Sequence, residues 1–122
     1  MPTLLLITHE HIGADMLRTA EAIVDHSLSD VSCLEVPMDA DTGQIIDRAE
    51  RRIGDDEALI LTDLYGSTPG NVAAQLAQSG KRHLVSGLNL PMLLRAINYQ
   101  HRPLEELTDK ATEGGKSGII HD

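Results

Sequence analysis

The sequence predicts a small doubly wound α/β domain: a mainly parallel sheet of four strands with helices on both faces. Apolar runs of strand length recur along the chain, and segments with apolar residues three and four apart separate them. Glycine, proline and asparagine punctuate the changes from one pattern to the other. Strands that alternate with helices of about 10–15 residues connect through right-handed crossovers, and the sheet they build is parallel.

The run "TLLLITH", residues 3–9, is continuously apolar, as a strand covered on both faces must be. From Gly13 onward Met16, Ala20, Ile23 and Val24, with Leu17 beside them, mark the buried stripe of a helix. "VSCLEV", residues 31–36, returns to strand character and stops at Pro37. Ile45, Ala49 and Ile53, four apart, give a second helix ending at Gly54, with Asp41 or Thr42 as its cap. "EALILTD", residues 57–63, is the third strand. "GSTPGN" breaks it, and Val72, Ala73, Leu76 and Ala77 form a third helical stripe ending near Gly80. "HLVSG", residues 83–87, is a short fourth strand. Pro91 opens a fourth helix through "PMLLRAINY", with Asn89 as cap, and Pro103 opens a fifth through "PLEELTDKATE". Composition loosens only in "EGGKSGIIHD", residues 113–122, a tail expected either to dock as a strand or to fray. Residues 1–122 are read as one domain.

Nineteen acidic residues against ten basic ones leave a net charge of −9, which repels a nucleic-acid backbone. Tyr65 and Tyr99 are the only aromatic residues, so platforms for stacking bases are nearly absent as well. The single cysteine, Cys33, has no partner within the chain and reads as a small buried hydrophobe in a reducing compartment. Residues 1–12 lack the charged start and cleavage site of a signal peptide, and no apolar run approaches the roughly 20 residues that cross a bilayer. The expectation is a soluble cytoplasmic protein without membrane insertion.

In doubly wound sheets functional groups gather beyond the carboxyl ends of the strands. Here those ends are Thr8-His9-Glu10, Val36-Pro37, Thr62-Asp63 and Ser86-Gly87. His9 follows the first strand and Asp63 the third, the two strands most often adjacent at the centre of such sheets. A carboxylate bonded to one ring nitrogen leaves the other unprotonated and aimed outward. If Asp63 holds Nδ1–H, Nε2 of His9 is a nucleophile. Beyond Asp63, Gly66 permits a tight turn, Ser67 and Thr68 offer hydroxyls, and Pro69 takes the first helical position with Thr68 as cap. The first amides of that helix form a cradle for an anion such as phosphate. A histidine nucleophile beside such a cradle suits phosphoryl transfer through a phosphohistidine. No nucleotide-binding fingerprint is present, so the donor is expected to be a phosphoprotein, with no cofactor.

"THEHIGADML", "LTDLYGSTPGN" and "SGLNLPML" together resemble, in order and over nearly the whole chain, the mannose-family IIA components of the bacterial sugar phosphotransferase system. The resemblance implies a phosphotransferase that accepts phosphate on His9 from the phosphocarrier HPr and passes it to a IIB component. It implies further that Asp63 orients His9, that the Thr68 hydroxyl assists the phosphoryl group, and that the short tail "SGIIHD" supplies a fifth strand exchanged in a homodimer. An alternative within the resemblance is a free-standing regulatory IIA that signals its phosphorylation state. Two positions depart from the family: Glu10 stands where glycine usually follows the active histidine, and Ser67 where glycine is frequent.

Other classes are open on the residues alone. A receiver-like module would be phosphorylated on Asp63, but His9-Glu10 offers one carboxylate where such modules need two to hold Mg²⁺. His9 and His11 lie two apart and could chelate a metal, yet no third ligand stands at a readable spacing, and His11 is expected to be an exposed loop residue. Surface positions account for His26, His83, His101 and His121. Tyr65 is either a rim residue that meets a partner or a ring packed under its loop.

Overall fold

The computed structural model describes residues 1–122. The elements in chain order are β1 (Thr3–His9), α1 (Ile12–Val24), β2 (Val31–Val36), α2 (Thr42–Ile53), β3 (Ala58–Thr62), α3 (Thr68–Leu76), β4 (Arg82–Ser86), α4 (Leu90–Tyr99) and α5 (Leu104–Ser117). The strands form one parallel sheet in the order β2-β1-β3-β4, the doubly wound architecture expected from the sequence. β1 and β3 are neighbours, with Ile7 opposite Thr62, so their carboxyl ends finish side by side at the point where the strand order reverses.

Alternation along the central strands divides the interior in two. Leu4, Leu6, Leu59 and Leu61 face Ala20 of α1, Leu93 and Ala96 of α4 and Leu107 of α5. Leu5, Ile7, Ala58 and Ile60 face Ile45, Ala49 and Ile53 of α2 and Val72, Ala73 and Leu76 of α3. The apolar runs at residues 4–7 and 58–61 are fully buried because each strand has a helical layer on both sides.

The cap of α2 is Asp41, whose carboxylate accepts from Gln44 N at 3.3 Å, and Asn89 caps α4 through Met92 N at 2.9 Å. α1 lacks such a cap, because His11 at its N-cap position makes no side-chain cap bond. The hydroxyl of fully buried Thr8 takes over, accepting from Gly13 N at 2.8 Å.

The end of α5 corrects the sequence expectation. The helix runs on through Gly114 and Gly115 to Ser117 instead of loosening at residue 113. A Cβ at Gly114 would come within 2.5 Å of Arg95 Cβ, and one at Gly115 within 2.7 Å of Met92 Cε. Close packing on α4 therefore outweighs the roughly 1 kcal/mol per residue that glycine costs a helix. Beyond it, residues 118–122 form no strand within the chain, and Ile119 and Ile120 are exposed. His83 also departs from its expected surface position: it is half-buried on β4, with Nδ1 2.8 Å from Thr108 Oγ1 of α5. No helix is long and apolar enough to cross a membrane.

Candidate functional site

His9 and Asp63 meet at the carboxyl edge of β1 and β3. Asp63 Oδ2 accepts from the backbone N–H of His9 at 3.3 Å and lies 2.7 Å from its Nδ1. A carboxylate oxygen accepts, so Nδ1 carries the proton and the Nε2 lone pair is the one left outside the pair. The His9 side chain is 27% exposed and that of Asp63 12%, which puts the imidazole at the surface and its partner beneath it. The other carboxylate oxygen, Oδ1, is buried and has no partner in the chain, so His9 is the group that compensates this charge.

The loop from Asp63 to α3 is built from its backbone outward. Gly66 adopts a φ of +83°, the left-handed conformation that glycine takes without strain. Ser67 donates its hydroxyl to Leu64 O at 2.6 Å and accepts from Gly70 N at 3.3 Å. Ser67 is thus the N-cap of α3, and the expected cap, Thr68, is the first helical residue with Pro69 second. The reason is local hydrogen bonding: the Ser67 hydroxyl closes both the turn behind it and the helix ahead. One amide of the predicted cradle, that of Gly70, is occupied by Ser67, and the Thr68 N–H and hydroxyl stand at the helix tip. Thr68 also lines a cavity of about 170 Å³ between α2 and α3, with Thr42 and Asn71.

His11 does not join His9. It is exposed, and its Nδ1 lies 2.7 Å from Glu35 Oε2 on β2, so the two histidines are held by different carboxylates. Around the pair, Ile12, Met38, Leu64 and Tyr65 are exposed apolar residues from the ends and loops after β1, β2 and β3. Tyr65 is therefore a rim residue, 76% exposed, and not a ring packed under its loop.

Sequence reasoning missed one contributor, Thr8, and named a second, Glu10, without its placement. Thr8 fixes the start of α1 through Gly13 N, five residues on, a separation longer than the usual capping spacing and so without a standard cap signal. Glu10 has a φ of +39°, a conformation that costs a non-glycine residue on the order of 1 kcal/mol, and its Oε1 accepts from Met38 N at 2.9 Å. Its carboxylate is turned toward the loop after β2. Cys33 sits half-buried on β2, its thiol pushed up to about 11 by burial first and by the nearby Glu35 second.

The family model described as PTS system fructose IIA component, EIIA-man, matches residues 3–112. The chain belongs to the EIIA-man family. A phosphotransferase system component EIIA from Streptococcus agalactiae is 27% identical with a TM-score of 0.90, covering 99% of this chain and 97% of that one. The mannose/sorbose specific IIA subunit from Enterococcus faecalis is 26% identical with a TM-score of 0.88, covering 99% and 94%. A fructose-specific EIIA component from Bacillus subtilis (strain 168) is 38% identical over 53 residues, which are 42% of this chain and 36% of that protein's length. This EIIA-man chain therefore shares its four-stranded parallel architecture with IIA proteins of the phosphotransferase system.

Proposed function

We propose that this EIIA-man protein is a phosphocarrier that takes a phosphoryl group from phospho-HPr on Nε2 of His9 and passes it to a IIB component. The observation that carries the reading is the 2.7 Å contact between His9 Nδ1 and Asp63 Oδ2. It holds the ring in one tautomer with Nε2 at the surface. In the transfer the Nε2 lone pair forms a bond to phosphorus as the P–N bond to the donor histidine breaks, and the Nδ1 proton stays against Asp63. The attacked ring gains positive charge in this step, and the carboxylate stabilises it where it develops. Thr68, at the tip of α3, is the residue we assign to the phosphoryl oxygens, through its amide and hydroxyl. Gly66 and Ser67 shape the loop that brings it there.

The exposed Ile12, Met38, Leu64 and Tyr65 around the nucleophile support a protein donor and acceptor, since apolar side chains ringing a reactive group are what a docking partner covers. A relay between HPr and a IIB component runs in the cytoplasm, which is the location the proposal implies. The homodimer belongs to the proposal too: β4 is an edge strand with every residue half-buried, and Ile119 and Ile120 stand exposed on the tail that could pair with it in a second copy. The deciding experiment is incubation with phospho-HPr followed by intact-mass measurement of wild type and His9→Gln. The reading expects one phosphoryl group on wild type, labile in acid and stable in base, and none on the variant. A wild-type mass without phosphate defeats it, and a base-labile adduct would move the site to Asp63.

A further inference from the structure

Glu10 is a charged residue at this edge that the carrier reaction does not use and, unlike Glu35, it adjoins His9 in the chain. It follows the nucleophile directly, in a backbone conformation (φ +39°) that side chains rarely adopt. Its amide continues the ladder to β2, donating to Val36 O at 3.1 Å. Its carboxylate reaches further along the same loop and accepts from Met38 N at 2.9 Å. His9 takes its own bonds from the opposite neighbour, Asp63 beyond β3. Two adjacent residues are therefore tied to the two sides of β1. The Met38 segment that Glu10 reaches is a short turn closed by Ala40 N to Pro37 O at 3.1 Å, with the Met38 side chain 82% exposed.

We propose that Glu10 is a positioning residue that latches the β2–α2 loop to the nucleophile's turn and releases it when His9 is phosphorylated. The proposal rests on the carrier reading for the charge that arrives at residue 9. A phosphoryl group on Nε2 adds close to two negative charges to the residue that directly precedes Glu10, and like charges at neighbouring positions repel even when the carboxylate is turned toward Met38. Asp63 is committed to Nδ1, so Glu10 is the carboxylate free to move. Its bond to Met38 N lies at the surface, where water replaces a lost partner readily. The loop that carries Met38 is thereby looser in the phosphorylated protein, which gives a docking partner a surface that differs between the two states. Coupling is reciprocal: what phosphorylation does to the latch, the latch does to phosphoryl retention. Glu10 lowers the stability of the phosphohistidine and raises its tendency to pass the group on.

The test is amide exchange at Met38 read by NMR, together with the equilibrium of phosphoryl exchange with HPr. In the unphosphorylated protein Met38 N–H should exchange several-fold more slowly in wild type than in Glu10→Ala. Phosphorylation should erase that protection in wild type and leave it in Glu10→Gln, which retains an acceptor without the charge. Glu10→Gln should also shift the equilibrium about 3- to 10-fold toward the phosphorylated form. Equal Met38 exchange in wild type and Glu10→Ala overturns the latch, and equal exchange in phosphorylated and unphosphorylated wild type overturns its release. Should phospho-HPr leave His9 unmodified, the carrier reading fails and the latch is judged separately by a fixed charge. Met38 must then exchange faster in His9→Glu than in His9→Gln, and equal rates overturn the coupling.

Discussion

Replacing Asp63 by asparagine removes the charge beneath His9 while changing almost nothing else. Asp63 Oδ2 makes both contacts to His9, and Oδ1 is buried without a partner. If the amide oxygen takes the Oδ2 position, Nδ1–H keeps an acceptor and the amide nitrogen inherits an unpartnered place. If the amide flips, its N–H donates to Nδ1, the proton moves to Nε2, and the nucleophilic lone pair is gone. The first arrangement loses a charge-assisted bond at 2.7 Å with the aspartate side chain 12% exposed, worth about 1.5–3 kcal/mol. Because the imidazole gains positive charge as it is phosphorylated, most of that loss falls on the transition state. At about 1.4 kcal/mol per tenfold, phosphoryl acceptance from phospho-HPr should slow by roughly 10- to 100-fold, and further where the flipped amide is populated. Rapid-quench measurement of the phosphorylated fraction gives the rate, and long-range ¹⁵N–¹H spectra of the ring report the tautomer. A variant that accepts phosphate at the wild-type rate with Nδ1 still protonated would refute the orienting role of Asp63.

The two hydroxyls of the next loop should separate cleanly. Ser67→Ala removes the α3 cap and should cost about 1 kcal/mol, a fall of roughly 3–5 °C in Tm. Thr68→Val should leave Tm within about 2 °C but slow phosphoryl acceptance on the order of 100-fold, as loss of one oxygen-directed donor does. Thermal melts and the transfer assay in parallel decide it, and the reverse pattern would return the cap to Thr68. At the opposite end of the sheet, Arg82 pairs with both oxygens of Glu50 at 2.7 and 2.8 Å, and also donates to Leu76 O and Gly54 O. The hydrogen bond from Arg82 holds the Glu50 carboxyl below its ordinary range. A carboxyl lowered in the folded state contributes stability above its unfolded pKa and loses it as pH falls through the folded value. The wild type should therefore exceed Glu50→Gln by about 0.5–1 kcal/mol near neutrality, modest because the glutamate is half exposed, with the gap closing below about pH 4 in urea titrations. Arg82→Ala should cost more, about 2 kcal/mol, since two carbonyls lose their donor as well. Finally, a Cys33 thiol raised from 9.0 to about 11 should be alkylated by iodoacetamide at pH 8 on the order of 100-fold more slowly than an unhindered cysteine peptide, by mass spectrometry.

Much of this was legible because the strongest sequence signals are also the dominant energetic ones. The runs at 4–7 and 58–61 demanded cover on both faces, and that demand alone makes them the central strands. Once β1 and β3 are central and parallel, His9 and Asp63 must end together. The pairing follows from topology and needs no local motif. What the sequence did not disclose are choices between near-equal local options and packing against elements distant in sequence. Ser67 and Thr68 both offer a capping hydroxyl, and the decision lies in Leu64 O and Gly70 N, which only the folded loop brings to Ser67. Gly114 and Gly115 read as loosening because propensity is local, whereas the space they leave is filled by Arg95 and Met92 of α4. Glu10 stood out in the sequence only as a departure from the glycine usual after the active histidine, and nothing local says where its side chain goes. A positive φ turns it toward β2.

On the carrier reading, the charges at the strand-end edge suit transfer better than storage. Glu10, Glu35 and Asp63 all stand at or beside it, and none of the ten lysines and arginines lies in residues 9–12, 37–41, 63–67 or 87–89. Asp63 is spent on His9, Glu35 on His11 and Glu10 on Met38 N, so each carboxylate is compensated locally while the edge as a whole stays negative. On the carrier reading, a phosphoryl group on Nε2 has the tip of α3 as its proposed donor, and the segments that follow the four strands supply no lysine or arginine to it. A site that ended its reaction by holding phosphate would be expected to neutralise it with arginine or lysine, as enzymes that bind phosphates do. Leaving that neutralisation to the partner means the group is held best only while a donor or acceptor with a positive surface is docked. The same field draws such a partner in, so salt should slow transfer through the encounter more than through the chemistry.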